Sequence, residues 1–530
     1  MAVAENPNTR RDWKKRESFT SAMVQILIVA LVLAGAVYFF VQRGTRKKEI
    51  SDRLQEARIT ALRDNPADLK KASDELDAIF ELDDSAKDAV ALAADIETQR
   101  WLVHREAGAE QKARDLLKKA QELDARTEER YGNEVFHKLA SGNSADAEQH
   151  AEQLRKQGAS TAKIWNSLGQ AYQAQGQLGM ARQAFAQATD KAWKNPRYYA
   201  DYGEALLAQA DYRQAIEVFG KGLNANPDHL RSKLGLALAR IYREDRVKDA
   251  SDAINEALSL GDALTPGMKA RALAAQAELA NFEQRYDDAV KSAGEALAIN
   301  PAEQFALFAK ARALAFKKDP GALDAFKAAI AANKTAPVVY FTGANLLQAA
   351  GNHDGAMALL NDYEALYGKV TLTDAEGKAK PAIEKDDKYW IVRGDVLRAA
   401  TNHAEAMAAY DRAVAANSLN LARAHYAKGA LLLEQKLYDK ALEELDLVTP
   451  DDGSGQLAEA YKAKGEVLFA KGDYPAGAQN FAYALTRMRA QQASREELNA
   501  LVQEVSKMLI AKNQKNTAKA WETETKPLIQ

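Results

Sequence analysis

The sequence has 530 residues, which is too long for one compact core, so several domains or an extended array are expected. Hydrophobic residues make up 47% and charged residues 28%, with 12 prolines and 29 glycines, a balance typical of an ordered helical protein. The formal net charge of −2 gives no strong field to attract nucleic acid, and the lack of cysteine excludes disulfides, thiolate metal sites and cysteine nucleophiles.

The first predicted element is an apolar helix over residues 22–42, which follows a basic tail at residues 1–21. The run from Ala22 to Val41 holds no charge, and Gln25 is its only strongly polar side chain. At about 1.5 Å per helical residue it spans roughly 30 Å, the thickness of a hydrocarbon core. We therefore predict a transmembrane anchor. The alternative is a cleaved signal peptide, because Ala34-Gly35-Ala36 matches a small-x-small cleavage site.

Basic residues flank the apolar run on both sides, so their number does not choose an orientation. They are Arg10, Arg11, Lys14, Lys15 and Arg16 before it, and Arg43, Arg46, Lys47, Lys48 and Arg53 after it. A short basic tail resists crossing a membrane, whereas long domains cross largely regardless of charge. We therefore expect a cytoplasmic tail, with the large remainder on the other side.

Residues 43–160 are rich in helix formers but only loosely periodic. We interpret them as degenerate helical repeats that lead away from the membrane. A coiled-coil stalk is the alternative, although the segment shows no sustained heptad pattern.

Residues 161–486 repeat at a spacing close to 34 residues. Trp165, Leu168, Gly169 and Tyr172 form the pattern W-x2-L-G-x2-Y, and Ala181 with Phe185 forms A-x3-F. The same register returns at Tyr199, Gly203, Leu206, Ala215 and Phe219, and at Trp390, Gly394, Leu397, Ala406 and Tyr410. The unit between Asp228 and Ala257 fits after a one-residue slip. This pattern resembles the tetratricopeptide repeat family, which implies an all-α, right-handed solenoid of helix pairs behind one transmembrane helix.

Two segments depart from the repeat. Residues 368–388 are a polar insertion with a short β-like stretch, either a functional element or a passive loop. Residues 487–530 are expected to be helices that cap the solenoid, because Ser494 and Glu497 have the spacing of a capping box.

No constellation of catalytic residues was found, so we predict that the chain is not an enzyme and needs no cofactor or metal. The most suggestive histidines, His353 and His403, occupy the repeat position held elsewhere by Tyr212, Tyr286, Tyr438 and Tyr474, and are expected to be packing residues. Gly-Lys pairs lack the Ser or Thr of a phosphate-binding loop. We expect no small-molecule substrate and no nucleic acid.

The resemblance also implies where partners bind. Solenoids of this family bind proteins or peptides on the concave face, at the second, fifth, ninth and twelfth positions of each unit. In the later units the candidate protein-binding residues are Phe341, Asn345, Lys388, Ile391, Asp395, Arg398, Arg423, Tyr426, Leu433, Lys462, Glu466 and Phe469. The earlier units are more polar there, with Lys163, Asn166, Gln170, Gln173, Arg197 and Glu204. The alternative is that some of these side chains pack inside a narrow superhelix.

Together these features predict a membrane-anchored scaffold that recruits partner proteins through its groove and contacts the membrane through residues 22–42. The layout is similar to bacterial single-span tetratricopeptide proteins, which implies an envelope assembly, secretion or motility complex and an inner-membrane location with periplasmic repeats. The alternative is a secreted or periplasmic chaperone or carrier whose N-terminal segment is cleaved.

Overall fold

The computed structural model describes residues 19–373, 379–416 and 419–529. Side chains are described for these ranges except residues 19–22 and 373. Most of the predicted basic tail, residues 1–18, therefore lies outside the described residues, as does the tip of the predicted insertion, residues 374–378.

The first helix, α1, spans Phe19–Ala61 and is 43 residues long. Its side chains from Met23 to Val41 are exposed, apart from the half-buried Ala36. Among the described helices, α1 is the one long and apolar enough to cross a membrane, a property that a signal sequence shares. The helix does not end near residue 42, where the predicted anchor ends. Its last turns pack, through Ile50, Leu54 and Ala57, against the next two helices, α2 (Pro66–Leu82) and α3 (Lys87–Leu102).

The rest of the chain is a succession of helix pairs. They are α4 (Ala109–Glu122), α5 (Glu128–Ala140), α6 (Ser144–Lys156), α7 (Ala162–Ala174), α8 (Leu178–Lys191), α9 (Pro196–Ala208), α10 (Tyr212–Ala225), α11 (Leu230–Arg243), α12 (Val247–Ser259), α13 (Pro266–Phe282), α14 (Tyr286–Ile299), α15 (Gln304–Phe316), α16 (Ala322–Ala332), α17 (Pro337–Ala349), α18 (His353–Tyr367), α19 (Asp387–Ala399), α20 (His403–Ala416), α21 (Leu421–Glu434), α22 (Tyr438–Asp446), α23 (Ala458–Lys471), α24 (Tyr474–Ala490), α25 (Arg495–Ala511) and α26 (Lys515–Thr525). Short 3-10 turns lie at Gly261–Ala263, Ala382–Lys385 and Lys526–Leu528. The all-α solenoid class is therefore confirmed.

Small residues in the first helix of each pair make room for a large side chain from the second. A Cβ atom added at Gly394 would lie 2.4 Å from the Tyr410 ring, and one added at Gly203 would lie 2.5 Å from Phe219. The same arrangement joins Gly169 to Phe185 and Gly465 to Phe481. Such separations are shorter than van der Waals contact, so glycine is what allows the two helices to approach.

The two histidines occupy the same place at a helix start as the tyrosines of the other units. His353 and His403 are the first residues of α18 and α20. Tyr212, Tyr286, Tyr438 and Tyr474 begin α10, α14, α22 and α24 in the same way.

The insertion forms a small hairpin. Strands β1 (Thr371–Thr373) and β2 (Ala379–Pro381) pair antiparallel, with Thr371 opposite Pro381. The chain then returns to the solenoid, where the Trp390 indole Nε1 donates a hydrogen bond of 2.9 Å to the Ile383 carbonyl oxygen. The predicted capping box is also present, since the Ser494 hydroxyl accepts from the Glu497 backbone N–H while the Glu497 carboxylate accepts from the Ser494 N–H.

The superhelix closes on itself in its first part. Leu207 and Ala208 of α9 and Val338 and Val339 of α17 line one cavity, although the two helices lie about 130 residues apart. A Cβ atom added at Gly176, in the turn after α7, would lie 3.2 Å from the Tyr367 ring at the end of α18. The described chain therefore has a closed half, from α3 to α17, and an open half formed by α19, α21, α23 and α25.

Candidate protein-binding face

The first helices of successive pairs lie side by side, from α3 and α5 through α7, α9 and α11 to α23. Their shared surface is called the inner face, the side on which the family resemblance implies that the predicted binding positions lie. Because each of these helices packs beside the next, a side chain on one helix reaches the following helix. The closed and open halves of the inner face differ in which parts of the chain cover them.

In the closed half, the inner face is covered by the N-terminal helices of the same chain. Asp95 of α3 forms an ion pair with Lys163 of α7, and its second oxygen lies 3.3 Å from a guanidinium nitrogen of Arg197 on α9. Arg197 also pairs at 3.3 Å with Asp64, in the turn after α1, and Asp64 accepts from His229 at 3.4 Å. All five side chains are buried. Two predicted positions of the early groove, Lys163 and Arg197, are thus turned toward the chain itself.

The electrostatics agree with this pairing. Burial alone would raise the pKa values of Asp64 and Asp95, but the Arg197 guanidinium and, for Asp95, the Lys163 ammonium hold them below their ordinary range. The pKa of Arg197 is raised because the attraction of the two carboxylates exceeds the effect of its burial. The cluster is therefore ionised and internally neutralised, as a buried charge requires.

The N-terminal helices are also tied to α13, further along the solenoid. The backbone N–H of Gly267 donates to the His104 carbonyl oxygen at 2.8 Å, and the His104 imidazole Nδ1 lies 3.0 Å from the Thr265 hydroxyl. Burial lowers the pKa of His104 to about 4, so this histidine is neutral near pH 7. The carbonyl of Arg63 accepts a hydrogen bond of 2.8 Å from the Asn226 amide.

A second group of charges continues the closed half toward α15. Arg231 of α11 pairs with Asp201 at 2.6 Å and with Glu204 at 2.8 Å. Arg271 of α13 pairs with Glu204 and, at 3.3 Å, with Glu303. Burial would raise the pKa of Glu204, but the two guanidinium groups lower it to about 2. A polar cavity of about 330 Å³ remains beside this group, lined by Gln170, Gln173, Gln304, Asn333 and Thr335 among others. The charges that line it are paired within the chain.

The later units, which are α17 at the end of the closed half and the helices of the open half, place the predicted binding residues differently. Asn345, Lys388 and Arg423 are exposed. A second group is partly buried: Phe341, Asp395, Arg398, Tyr426, Leu433, Lys462 and Glu466. Ile391 and Phe469 are only 6% and 8% exposed and belong to the packed core between helices, so they shape the face from beneath.

Ion pairs also link each inner helix of the open half to the next, between side chains that are more exposed than those of the closed half. Arg398 lies 3.7 Å from Glu434, Arg423 lies 3.9 Å from Glu459, and the contact between Lys462 and Glu504 measures 3.3 Å. Exposed pairs of this length contribute little stability, so their side chains are free to exchange partners at low cost.

Other positions hold hydrogen bonds or rings. The Tyr410 hydroxyl donates to Asp395 at 2.7 Å, which holds that carboxylate in place. The Arg423 guanidinium lies 5.1 Å from the centre of the Tyr426 ring, a cation–π contact on the surface of the face. Phe341 packs on Tyr363 with ring centres 4.8 Å apart.

Several residues of the face were not among the predictions. Glu459 occupies the second position of its unit and was open to prediction from the register, whereas Glu434 and Glu504 lie outside the four positions considered. Asp64 and Asp95 carry no signal in the sequence, because they lie in the loosely periodic region. Among the described residues no group of three or more histidine and acidic side chains could hold a metal ion.

The comparisons with known proteins agree with the helix pairs. A family model described as a tetratricopeptide repeat matches residues 137–196, 202–269 and 391–455. The first match begins within the region predicted to hold degenerate repeats, and the second spans the pair with the one-residue slip. No curated protein matches the sequence.

Two solved structures illustrate the likeness. The human IFIT1 dimer with PPP-AAAA is 18% identical, with a TM-score of 0.43 over 75% of this chain and 90% of that one. The Cut9–Hcn1 hetero-tetramer of the APC/C is 12% identical, with a TM-score of 0.39 over 90% of this chain and 98% of that one. TM-scores this low establish no common arrangement of the whole solenoid. The three matched stretches are tetratricopeptide repeats, and the stacked helix pairs around them form an all-α solenoid.

Proposed function

We propose that the chain is a membrane-anchored interaction scaffold that binds partner proteins or peptides on the open half of its inner face. The observation that supports this is the contrast between the two halves. Equivalent repeat positions are buried against the chain's own N-terminal helices at Lys163 and Arg197, but are exposed at Lys388 and Arg423. A partner therefore meets the open half without first displacing part of the chain.

The chemistry of the open half suits a protein partner. Aromatic and aliphatic groups, Tyr426 and Leu433, lie among cations and carboxylates that are held only by long ion pairs. A partner side chain can replace one member of such a pair, while the apolar groups supply contact area. The closed half has no comparable free charge, because its ionic groups are buried and already paired.

For the anchor, we propose that α1 is retained in the membrane through residues 22–42. Support comes from the apolar run, which continues past Ala34-Gly35-Ala36 through Val41, beyond the point where a signal peptide should end. From the basic tail we infer that the repeats lie outside the cytoplasm, and we propose the periplasm of a bacterial cell and an envelope assembly, secretion or motility complex. A secreted chaperone or carrier with a cleaved N-terminal segment is the second candidate, on account of Ala34-Gly35-Ala36.

Site-specific photo-crosslinking tests the binding face. A photoreactive residue placed at Lys388 or Arg423 of the full-length protein, in cells that express it natively, should give discrete crosslinked partner bands. The matched control is Lys440, an exposed residue of α22 on the second helix of its pair. Equal crosslinking from Lys440 and from the two inner positions would argue against the proposal.

Membrane fractionation with N-terminal sequencing tests the anchor. The expected result is a protein that sediments with membranes, resists extraction by carbonate, and keeps an N-terminus upstream of Met23. A soluble mature chain that begins at Val37 would establish the secreted alternative instead.

A further inference from the structure

Four basic side chains follow directly after the apolar part of α1. Residues 42–48 hold no carboxylate, and their cations are Arg43, Arg46, Lys47 and Lys48. All four are exposed. Within the described part of the chain none of them forms a hydrogen bond or an ion pair. Arg53, further along the same helix, differs from them, because it pairs with Glu49 at 3.3 Å and with a carboxylate of α2 at 2.9 Å.

The spacing of these cations is unfavourable within the chain itself. Arg43, Arg46 and Lys47 lie three and four residues apart, so they share one side of the helix. Like charges at this spacing repel one another. Asp52, one turn after Lys48, forms no ion pair with it. An anionic group from outside the chain would therefore relieve the repulsion within residues 42–48.

The turn after α2 brings the nearest carboxylates of another element, and these do not neutralise the segment. Asp83 accepts hydrogen bonds from the Ser85 backbone N–H at 3.0 Å and from the Ser85 hydroxyl at 2.7 Å. These hydrogen bonds lower the pKa of Asp83 most, and the charge of Arg46 lowers it further, although the two groups form no ion pair. Asp84 is exposed, and its carbonyl oxygen accepts from the Lys119 ammonium at 2.7 Å, which brings another cation to the same turn.

The position of the segment along α1 indicates which anion it meets. The helix is continuous from Phe19 to Ala61, and it begins with a run long and apolar enough to cross a membrane. At about 1.5 Å per residue, Arg43 lies about 3 Å and Lys48 about 10 Å beyond Val41. The headgroup layer adds about 5–8 Å to the hydrocarbon core on each side of a bilayer. The long stems of lysine and arginine can therefore carry their charges to the lipid phosphates.

Resting on the retained anchor proposed above, we propose that the four cations of residues 42–48 bind the phosphate groups of anionic phospholipids in the leaflet that borders the repeats. The segment is joined to the first unit without a break, because the same helix packs through Ile50 and Leu54 against α2. Lipid binding therefore fixes the height and the tilt of the first unit above the membrane.

Native mass spectrometry of the full-length protein in detergent, titrated with phosphatidylglycerol or with phosphatidylcholine, tests this binding. Wild type should bind the anionic lipid more tightly than the zwitterionic one. Replacement of the four cations by glutamine should lower the affinity for phosphatidylglycerol by at least about tenfold, since each basic side chain at an anionic surface contributes about fivefold. Arg43→Lys/Arg46→Lys keeps the charges and should bind within about threefold of wild type.

A matched control removes the same charge elsewhere. It replaces by glutamine four exposed lysines on second helices of their pairs, which are Lys248, Lys291, Lys327 and Lys440. This control should leave the affinity for phosphatidylglycerol unchanged.

The outcomes separate this proposal from the anchor on which it rests. Equal binding of phosphatidylglycerol by wild type and the glutamine variant, or equal binding of both lipids by wild type, would overturn the role of the cations in a protein that still sediments with membranes. A mature chain that begins at Val37 would overturn both proposals. Because the four cations make no internal bond, the glutamine variant should unfold at the same temperature as wild type. A lower unfolding temperature would show that the cations serve the fold instead.

Discussion

The ion pair between Asp95 and Lys163 provides the sharpest test of how the closed half is held together. Asp95→Asn keeps the shape of the side chain but removes the charge that neutralises Lys163, whose side chain is 3% exposed. Removing one partner of a buried pair costs about 3–5 kcal/mol, because the other charge remains without compensation. Arg197 keeps its second partner, Asp64, so we expect the lower end of this range.

The double variant Asp95→Asn/Lys163→Met separates the charge effect from the loss of packing. It removes the uncompensated ammonium group and leaves an apolar side chain of similar length, so it should regain at least about 1.5 kcal/mol relative to Asp95→Asn. Asp252→Asn, an exposed carboxylate on α12, is the control and should change stability by less than about 0.5 kcal/mol.

Hydrogen exchange of the α3 backbone amides, followed by mass spectrometry on the full-length protein, measures these differences as local opening free energies. Thermal unfolding of the full-length protein in detergent gives an independent ranking of the stabilities of the variants. An Asp95→Asn protein within about 0.5 kcal/mol of wild type would refute the view that this pair holds α3 on the inner face. So would a double variant no more stable than the single one.

Three further predictions concern single residues. Gly394→Ala should destabilise its unit by about 1–3 kcal/mol in thermal unfolding, because the new Cβ would lie 2.4 Å from the Tyr410 ring. Gly294→Ala on α14, where nothing lies within 4 Å of the new Cβ, should stabilise the protein by about 0.5–1 kcal/mol. The reverse order of stability would contradict the packing described. The pKa of His104 is about 4 in the folded chain and 6.5 ordinarily, so the unfolded chain binds the proton first as the pH falls. The free energy of unfolding should therefore fall by up to about 3 kcal/mol between pH 6.5 and pH 4. His104→Gln should flatten this slope in a pH series of unfolding curves. Ser494→Ala removes the cap of α25 and should cost about 1 kcal/mol, seen as faster amide exchange in the first turn of that helix alone.

The repeat register could be predicted from the sequence because the same residue types recur at the same positions in each unit. Gly394 and Tyr410 are sixteen residues apart, and their fit depends only on the two helices of one pair. The same reasoning placed His353 and His403 at the starts of helices, and the spacing of Ser494 and Glu497 was enough to predict a cap. Interactions within one unit, or between adjacent units, require the same residue types in every unit and therefore appear as a periodic pattern in the sequence.

The contacts that close the closed half produce no such periodic pattern in the sequence. Asp64 meets Arg197 and His229 across 133 and 165 residues of chain, and nothing periodic relates these positions. The register predicts Lys163 and Arg197 on the inner face, and the structure buries both of them in ion pairs with Asp95 and Asp64. What covers that face follows from how tightly the superhelix turns, and this depends on small rotations between successive pairs rather than on any single motif.

The length of α1 illustrates a different limit. Hydropathy falls sharply after Val41, and this fall marks the edge of an apolar run, not the end of a helix. The residues that follow are rich in Arg, Lys, Glu and Gln, which are good helix formers, and contain no proline, so the helix continues to Ala61.

The contact between α9 and α17 changes how the solenoid responds to force and heat. An array in which each repeat touches only its neighbours behaves as a spring, stretching and fraying unit by unit. A contact between units far apart in sequence closes the units between them into a loop. The helix pairs of that loop unfold together rather than one at a time. From α3 to α18 the chain should therefore act as a single stiff block, while α19 to α26 remain an elastic arm. The arm, which carries the proposed binding residues, can adjust its curvature to a partner while the block holds its position.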